Sequence, residues 1–277
     1  ILMVLLLPLP RALLDLSLAV SITFSVLILM VALFIQRPLE FSSFPTVLLI
    51  STMLRLALNL ATTRLILSHG HEGGHAAGQV IRAFGTLVMG GSFIIGVIVF
   101  AILVIVNFVV ITKGSGRIAE VSARFTLDAM PGKQMSIDAD LAAGAITQDQ
   151  ARQRRKDLER EADFFGAMDG ASKFVRGDAI AGLLMTGINI VVGFLVGVLQ
   201  NGMEPARAAS TYTILTVGDG LASQIPALLM STAAGVVVTR ASAGGSISST
   251  LLSQLGRSST PLYTTAALVG LVGLVPG

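Results

Sequence analysis

The chain has 277 residues, of which 53% are hydrophobic and only 13% are charged, and its mean hydropathy is +0.81. Soluble globular domains contain about 25% charged residues, so this composition excludes an ordinary soluble domain and predicts a protein of the lipid bilayer. Of the 35 charged residues, 22 lie at 113–178, where 11 basic residues balance 11 acidic ones. This segment has no basic patch with interleaved aromatic residues, so nucleic acid is not an expected partner.

Apolar windows along the chain predict an all-α, polytopic helical membrane protein. A helix needs about 20 apolar residues to cross the hydrocarbon, and a lone strand would leave its amide groups unpaired in lipid. The run at 1–7 is too short, and we interpret it as the tail of a truncated span; we also expect a further C-terminal part. Five charge-free windows are long enough to span: 16–35, 83–112, 179–203, 220–239 and 258–277. Two apolar stretches carry polar interruptions, with Arg55, Asn59 and Arg64 in 41–68 and Asp219 in 208–239.

Lysine and arginine residues beside the spans predict the orientation. Basic residues stand close to both spans that adjoin 113–178, and the positive-inside rule assigns such a segment to the cytoplasm. We therefore predict transmembrane helices at 1–112, a small helical cytoplasmic insert at 113–178 and a second group of transmembrane helices at 179–277. On this orientation Arg37 and the linker 240–257 are cytoplasmic, and the loops at 69–82 and 200–210 face the other side.

The insert carries signals of folded helices. Residues 130–132 (MPG) predict a turn, after which a short helix is expected to begin near Ser136 and to end at Gly144. A second helix is predicted from a capping box at Thr147 and Gln150 to about Phe165. Its apolar residues recur at helical spacing, namely Ala151, Leu158, Ala162 and Phe165.

Polar residues inside the spans need a physical reason, since a charge there costs about 2.5–3.5 kcal/mol on insertion scales. Arg55, Asn59 and Thr62 share one helical face, which predicts that they line a bundle interior or a wet cavity. A purely structural hydrogen-bond network is the alternative. Arg64 lies on the opposite face near the end of its span, where snorkelling is a sufficient explanation.

Two carboxylates near the spans each allow two interpretations. Asp219 stands between Gly218 and Gly220, where a loosened helix could let it carry a proton or bind a cation. Alternatively, it stabilises a helix N-terminus at a break. Asp178 precedes the span at 179–203, either as a dipole-stabilised residue at a helix N-terminus or as a proton acceptor at an entrance.

Other motifs are weak. Gly132-Lys133 lacks the rest of a phosphate loop, and Asp138-Ala-Asp140 lacks the glycine and the glutamate of a calcium loop. His69, His71 and His75 form a metal-like cluster, but on a glycine-rich loop that disfavours a preorganised site. Small residues four apart, Ser92 with Gly96 and Gly193 with Gly197, are typical of close helix packing.

Several long motifs resemble the type III export-gate family of bacterial flagella and injectisomes. They stand at 55–64 (RLALNLATTR), 109–121, 124–141 (RFTLDAMPGKQMSIDADL), 164–179 and 218–227, so the resemblance covers essentially the whole chain. Gly116 and the loop at 70–73 favour the flagellar branch.

This resemblance implies an eight-span region of the bacterial inner membrane, followed by a large cytoplasmic domain that receives chaperones and cargo. It implies a nonameric homo-oligomeric ring that contacts other membrane components of the gate. The ATPase complex and chaperone–cargo complexes are expected to bind mainly through the domain outside this chain. By motif match the functional positions are Arg55, Arg64, Asp178 and Asp219 in the spans, and Arg117, Arg124, Asp128 and Lys133 in the insert. No cofactor is implied.

We hypothesise an energy-coupling export gate rather than an enzyme, in which protons pass near Asp178 and Asp219. Protonating a carboxylate close to Arg117, Arg124 or Arg176 would remove a favourable partner and so change the charge pairing in the insert. The alternatives are an injectisome gate, an ion-coupled small-solute transporter, which would also place carboxylates at mid-membrane, and a passive assembly scaffold.

Overall fold

A computed structural model describes residues 9–90, 93–239 and 263–264. These residues form helices and connecting turns, and the described part of the chain contains no strand. The α-helices are α1 (Arg11–Phe34), α2 (Phe44–His69), α3 (Gln79–Met89), α4 (Phe93–Val106), α5 (Lys113–Asp128), α6 (Met130–Ala142), α7 (Gln148–Leu195) and α8 (Pro205–Thr239). Short 3-10 helices lie at Pro38–Phe41 and Gly70–Glu72, and π-helical turns lie at Asn107–Thr112 and Val196–Gln200.

Among the described residues, four helical segments are long and apolar enough to cross a membrane: Arg11–Phe34, Phe44–Glu72, Gln148–Gln200 and Pro205–Thr239. They confirm the predicted spans at 16–35, 41–68, 179–203 and 220–239. The window 83–112 that we predicted as a span consists of two helices, α3 and α4, which are bent by 106° as in a broken span or a re-entrant loop. The hydropathy of a window does not show whether the helix bends within it. This window includes two consecutive glycines at 90–91, between α3 and α4. The window 258–277, the linker 240–257 and the run 1–7 lie outside the described residues, apart from 263–264.

The order of contacts gives the direction of each span. Arg55 of α2 contacts Asp178 of α7, and Thr63 contacts Asn189, so these two helices run parallel. Two apolar clusters lie at opposite ends of α2, and both α1 and α8 reach them in the reverse order, so these helices run antiparallel to α2. The far-side cluster comprises Leu14, Leu18, Leu58, Ala61, Ile66, Ala76, Ala77, Ile81, Tyr212 and Leu215. The insert-side cluster comprises Ile28, Ala32, Phe44, Leu48, Ala119, Ala123, Phe164, Phe165, Met168, Ala171, Val175, Met230, Ala233, Ala234, Val237 and Val238.

Glycines bring several helices into direct backbone contact. The α-carbon of Gly218 on α8 lies against the carbonyl group of Ile81 on α3, and Gly85 of α3 lies against the carbonyl group of Ile214. Any side chain at these positions would meet the neighbouring backbone. The predicted close packing at Gly193 and Gly197 is confirmed, since both lie against the ring of Tyr212. Ser92 lies outside the described residues.

The insert differs from its prediction at Pro131 and at its C-terminal end. Pro131 does not mark a turn but occupies the first turn of α6, where its missing N–H costs no hydrogen bond. The capping box at Thr147 is confirmed: the Thr147 N–H donates to Gln150 Oε1 at 2.8 Å, and the Gln150 N–H donates to Thr147 Oγ1 at 3.3 Å. The predicted end near Phe165 is wrong, because α7 continues without interruption to Leu195. The proposed boundary at 178 therefore lies inside one helix.

Ion pairs hold α6 against the first turns of α7. Arg154 contacts Asp140 at 3.0 Å, Arg155 contacts Asp138 at 2.5 Å, and Lys133 contacts Glu161 at 2.9 Å. Exposed pairs of this kind contribute about 0–1 kcal/mol each. Ala151 and Phe165 of the predicted apolar stripe are buried, and Leu158 and Ala162 are half-buried, as the spacing predicted.

Candidate functional site: a buried polar column

A buried ion pair joins two spans that are far apart in sequence. The guanidinium Nη2 of Arg55 donates to Oδ2 of Asp178, across a separation of 123 residues. The two residues are each only 4% exposed. Asp178 lies well inside α7, 30 residues after its first residue and 17 before its last, so the interpretation as a helix N-terminal residue is wrong. Each side chain instead supplies the charge that the other needs in order to be buried.

A second carboxylate lies deeper in the bundle. Asp219 of α8 is 6% exposed, and its Oδ2 accepts from Nδ2 of Asn189, which is fully buried on α7, at 3.4 Å. The same amide group contacts Oγ1 of Thr63 on α2 at 3.2 Å. Since α8 is continuous from Pro205 to Thr239, the interpretation of Asp219 as a helix N-terminal acid at a break is also wrong.

These side chains form one polar column through the middle of the bundle. We define the polar column as Arg55, Asn59 and Thr63 of α2, Asp178 and Asn189 of α7, and Asp219 of α8, all of them buried. The predicted burial of Arg55, Asn59 and Thr62 on one face of α2 is thereby confirmed. From Asp178 to Asn189 the column extends about 16 Å along α7, given the rise of about 1.5 Å per helical residue.

A small cavity of about 50 Å³ adjoins the ion pair, between α2, α4, α7 and α8. Its polar lining comprises Arg55, Asn59, Asn107, Asp178, Thr186, Ser223 and Gln224. Nδ2 of Asn107 donates to Oε1 of Gln224 at 3.4 Å. A polar cavity needs only about 10–15 Å³ to hold a water molecule, so this one has room for water beside the carboxylate.

Unsatisfied acceptors characterise the column. Oδ1 of Asp178, Oδ1 of Asn189 and Oδ1 of Asp219 are buried and have no hydrogen-bond partner among the residues that the structure describes. A buried acceptor without a donor is costly, by about 1–3 kcal/mol. Water molecules would supply the missing donors, and protonation would turn one carboxyl oxygen from an acceptor into a donor. The column is therefore buried and incompletely hydrogen-bonded.

The four candidate residues of the insert lie away from the column. Arg117, Arg124 and Asp128 are exposed on α5, and Arg124 approaches Asp128 at 3.9 Å. Lys133 pairs with Glu161. Asp178 pairs with Arg55 of α2 and not with Arg117, Arg124 or Arg176. Arg176 instead contacts Glu120 at 3.5 Å.

Arg64 and the histidines take separate positions. Arg64 is exposed on the side of α2 that faces away from the column. His69 Nδ1 contacts Ser68 Oγ at 2.8 Å, and His75 Nε2 contacts Arg82 Nη1 at 2.7 Å. Within the described ranges, no three histidine or carboxylate side chains are grouped so that they could hold a metal ion.

Sequence reasoning missed several polar contacts between helices. Asp15 of α1 accepts from the backbone N–H groups of Gln79 at 2.8 Å and Val80 at 3.0 Å, so it caps the N-terminus of α3. Asn189 was also missed. The available signal was the same for both residues, namely a short polar side chain in an apolar helix, but the sequence does not show which helix supplies the partner.

The whole chain is similar to known proteins. The FHIPEP family matches residues 1–277. The chain is 62% identical to the flagellar biosynthesis protein FlhA of Caulobacter vibrioides, 59% to that of Escherichia coli and 58% to that of Salmonella typhimurium. Each comparison covers 100% of this chain and 40% of the relative, so the chain spans about two-fifths of the length of these proteins. No solved structure matches. The polar column thus lies among membrane-spanning helices of a chain that belongs to the FHIPEP family.

Proposed function

We propose that this chain is the membrane region of an export gate in the flagellar type III apparatus, and that it couples proton motive force to the translocation of export substrates. Similarity to flagellar biosynthesis proteins over all 277 residues supports a role in flagellar export. The observation that carries the coupling proposal is the buried Arg55–Asp178 ion pair beside a polar cavity.

The proposed coupling step is protonation of Asp178. A neutral Asp178 leaves the guanidinium of Arg55 buried without a counter-charge, and loss of one partner of a buried pair costs about 3–5 kcal/mol. Such a penalty is large enough to change how α2 packs against α7. Asp219 and its contact with Asn189 provide a second carboxylate for the same proton path.

The proposed output of this step is a movement of the insert. α7 is one helix from Gln148 to Leu195, so it connects Asp178 directly to the part of the insert that pairs with α6. From Asp178 to Glu161 the distance is about 26 Å at the rise of a helix. Lys133 on α6 pairs with Glu161, so a tilt of α7 would displace this contact.

The surroundings of the gate are proposed from the family resemblance. We place the chain in the bacterial inner membrane with the insert at 113–178 in the cytoplasm, as part of a nonameric ring that contacts the other membrane components. Contacts with the ATPase complex and with chaperone–cargo complexes are assigned mainly to the domain beyond this chain. The lipid bilayer surrounds the apolar faces of the spans.

The test is the rate of flagellar protein secretion by Asp178→Asn in the full-length protein. We expect a reduction of at least about tenfold, since a loss of about 1.4 kcal/mol in the coupling step has that effect on a rate. The matched control is Asp169→Asn, which removes a carboxylate of the same helix that pairs with Lys173 at the surface. This control is expected to secrete at close to the normal rate.

Assembly is measured in the same membranes, and secretion is compared across a range of external pH. If Asp178→Asn assembles and secretes normally at every pH, Asp178 is not the coupling group. If Asp219→Asn also secretes normally, these spans act as a passive scaffold. A defect in assembly would lower the amount of Asp178→Asn protein in the membrane, whereas a defect in coupling would lower secretion without lowering that amount.

A further inference from the structure

The depth of α1 in the bilayer follows from its charges. Between Asp15 and Arg37 the chain has no charged residue. This stretch measures about 31 Å as a helix and matches the hydrocarbon thickness of about 30 Å. Ile28 and Ala32 therefore lie about 14 and 8 Å inside the boundary that Arg37 marks.

Packing places parts of α5 and α7 at the same depth. Ile28 and Ala32 belong to the insert-side cluster together with Ala119 of α5 and Ala171 and Val175 of α7. Phe44, the first residue of α2, belongs to the same cluster, and Arg55 lies 11 residues, or about 16 Å, further along α2 and pairs with Asp178. The part of α7 just before Asp178 therefore lies at the level of the inner half of the bilayer, and Glu120 of α5 pairs with Arg176 at that level. The charge of both segments nevertheless suggests a position in water.

The outer surface of these two segments carries charged side chains among exposed apolar ones such as Ile118, Val121 and Phe174. We define the α5–α7 face as Arg117, Glu120 and Arg124 of α5 together with Asp169, Lys173 and Arg176 of α7. Arg176 pairs with Glu120 at 3.5 Å and Lys173 with Asp169 at 2.6 Å, and both pairs are partly exposed. At the same level, α1 exposes only apolar side chains such as Leu27, Met30 and Val31.

Lipid is a poor solvent for the α5–α7 face. Each charge in hydrocarbon costs about 2.5–3.5 kcal/mol on insertion scales, and charged residues at this depth almost always face a bundle interior or a water-filled cavity. Snorkelling relieves long basic side chains, but the short carboxylates of Glu120 and Asp169 cannot reach the interface in this way. The two sides of the molecule therefore require different surroundings.

We propose that the α5–α7 face borders an aqueous vestibule at the depth of the inner leaflet, which protein shields from lipid, while α1 faces the bilayer. The proposal does not depend on proton coupling. It brings water to the level of Arg176, only two residues from Asp178 on α7.

The chain lacks cysteine, so single cysteines report the surroundings of chosen positions. Val121→Cys probes α5 one turn from Arg117, and Val31→Cys is its matched control on α1, since the two valines are 43% and 38% exposed. Ile118→Cys and Leu27→Cys form a second pair, with exposures of 48% and 56%. Any cysteine elsewhere in the full-length protein is first replaced. The protein is then labelled in inverted membrane vesicles, prepared from cells that still assemble flagella.

A charged maleimide that does not cross membranes is added, and labelling is normalised to the denatured protein. The thiolate is the reactive form, and it hardly forms in hydrocarbon. We therefore expect the α5 cysteines to react at least about tenfold faster than the α1 cysteines. Equally slow labelling at both sites would mean that lipid or protein covers the α5–α7 face, and equally fast labelling would mean that the depth assigned to α1 is wrong. Either result overturns the proposal.

Discussion

The buried ion pair makes a quantitative prediction about stability. Asp178→Asn leaves the charge of Arg55 in place without its partner, and Arg55→Gln does the same to Asp178. Both residues are 4% exposed, so water can compensate little of the lost attraction. Each single substitution is therefore expected to lower the free energy of unfolding by about 3–5 kcal/mol.

The double substitution removes both charges and leaves two neutral amides that can still contact each other. Its cost is expected to be smaller than the sum of the two single costs. The difference, the coupling energy of the double-mutant cycle, should reach at least about 2 kcal/mol, toward the upper end for residues in contact. The free energy of unfolding is measured from helix content as mixed micelles are titrated with a denaturing detergent.

The matched control is the same cycle on Glu120 and Arg176, which pair at 3.5 Å but are 47% and 38% exposed in their side chains. Exposed pairs contribute about 0–1 kcal/mol and are screened by salt. A coupling energy for Arg55 and Asp178 no larger than that of the control pair would refute the account of a buried, mutually dependent pair.

Three further substitutions test the packing and the caps. Gly218→Val forces a side chain against a backbone carbonyl of α3, so we expect a loss of about 1–3 kcal/mol or more and less folded protein in the membrane. Gly166→Val is the control, since Gly166 has open space around it, and the amount of folded protein in the membrane should change less. Asp15→Ala removes the cap of α3 and should cost about 0.5–2 kcal/mol in the micelle titration. Ser17→Ala, which loses only a bond within its own helix, should cost less. Thr147→Ala removes the side-chain acceptor of the capping box and should cost about 1 kcal/mol, seen as faster proteolysis of the start of α7.

The spans could be predicted because lipid imposes a simple requirement on the sequence. Long apolar windows and the absence of unpaired backbone groups leave little choice other than helices. The start of α7 was predictable too, since the capping box at Thr147 uses only neighbouring residues. The end of α7 was not, because Gly166, Gly170 and Gly177 suggest interruptions that a well-packed helix tolerates.

The candidate site was predictable in its residues but not in its contacts. Arg55, Asp178 and Asp219 stand out as charges in or beside apolar windows. Their partners come from other spans, and no local pattern encodes that Arg55 meets Asp178 or that Asn189 meets Asp219. The glycines beside Asp219 were expected to loosen α8, whereas Gly218 serves to admit the backbone of α3.

The backbone contact between α3 and α8 has a consequence for the far side of the membrane. Because glycine leaves no side chain between these helices, α3 cannot slide past Gly218 without a collision, and the two helices are constrained to shift together. Asp219 therefore shares its displacements with the loop at 70–78, which leads into α3 and is tied to α1 through Arg11 and Glu72. A displacement of Asp219 at the centre of the bundle would therefore also move the loop on the surface opposite the insert, as well as the insert itself.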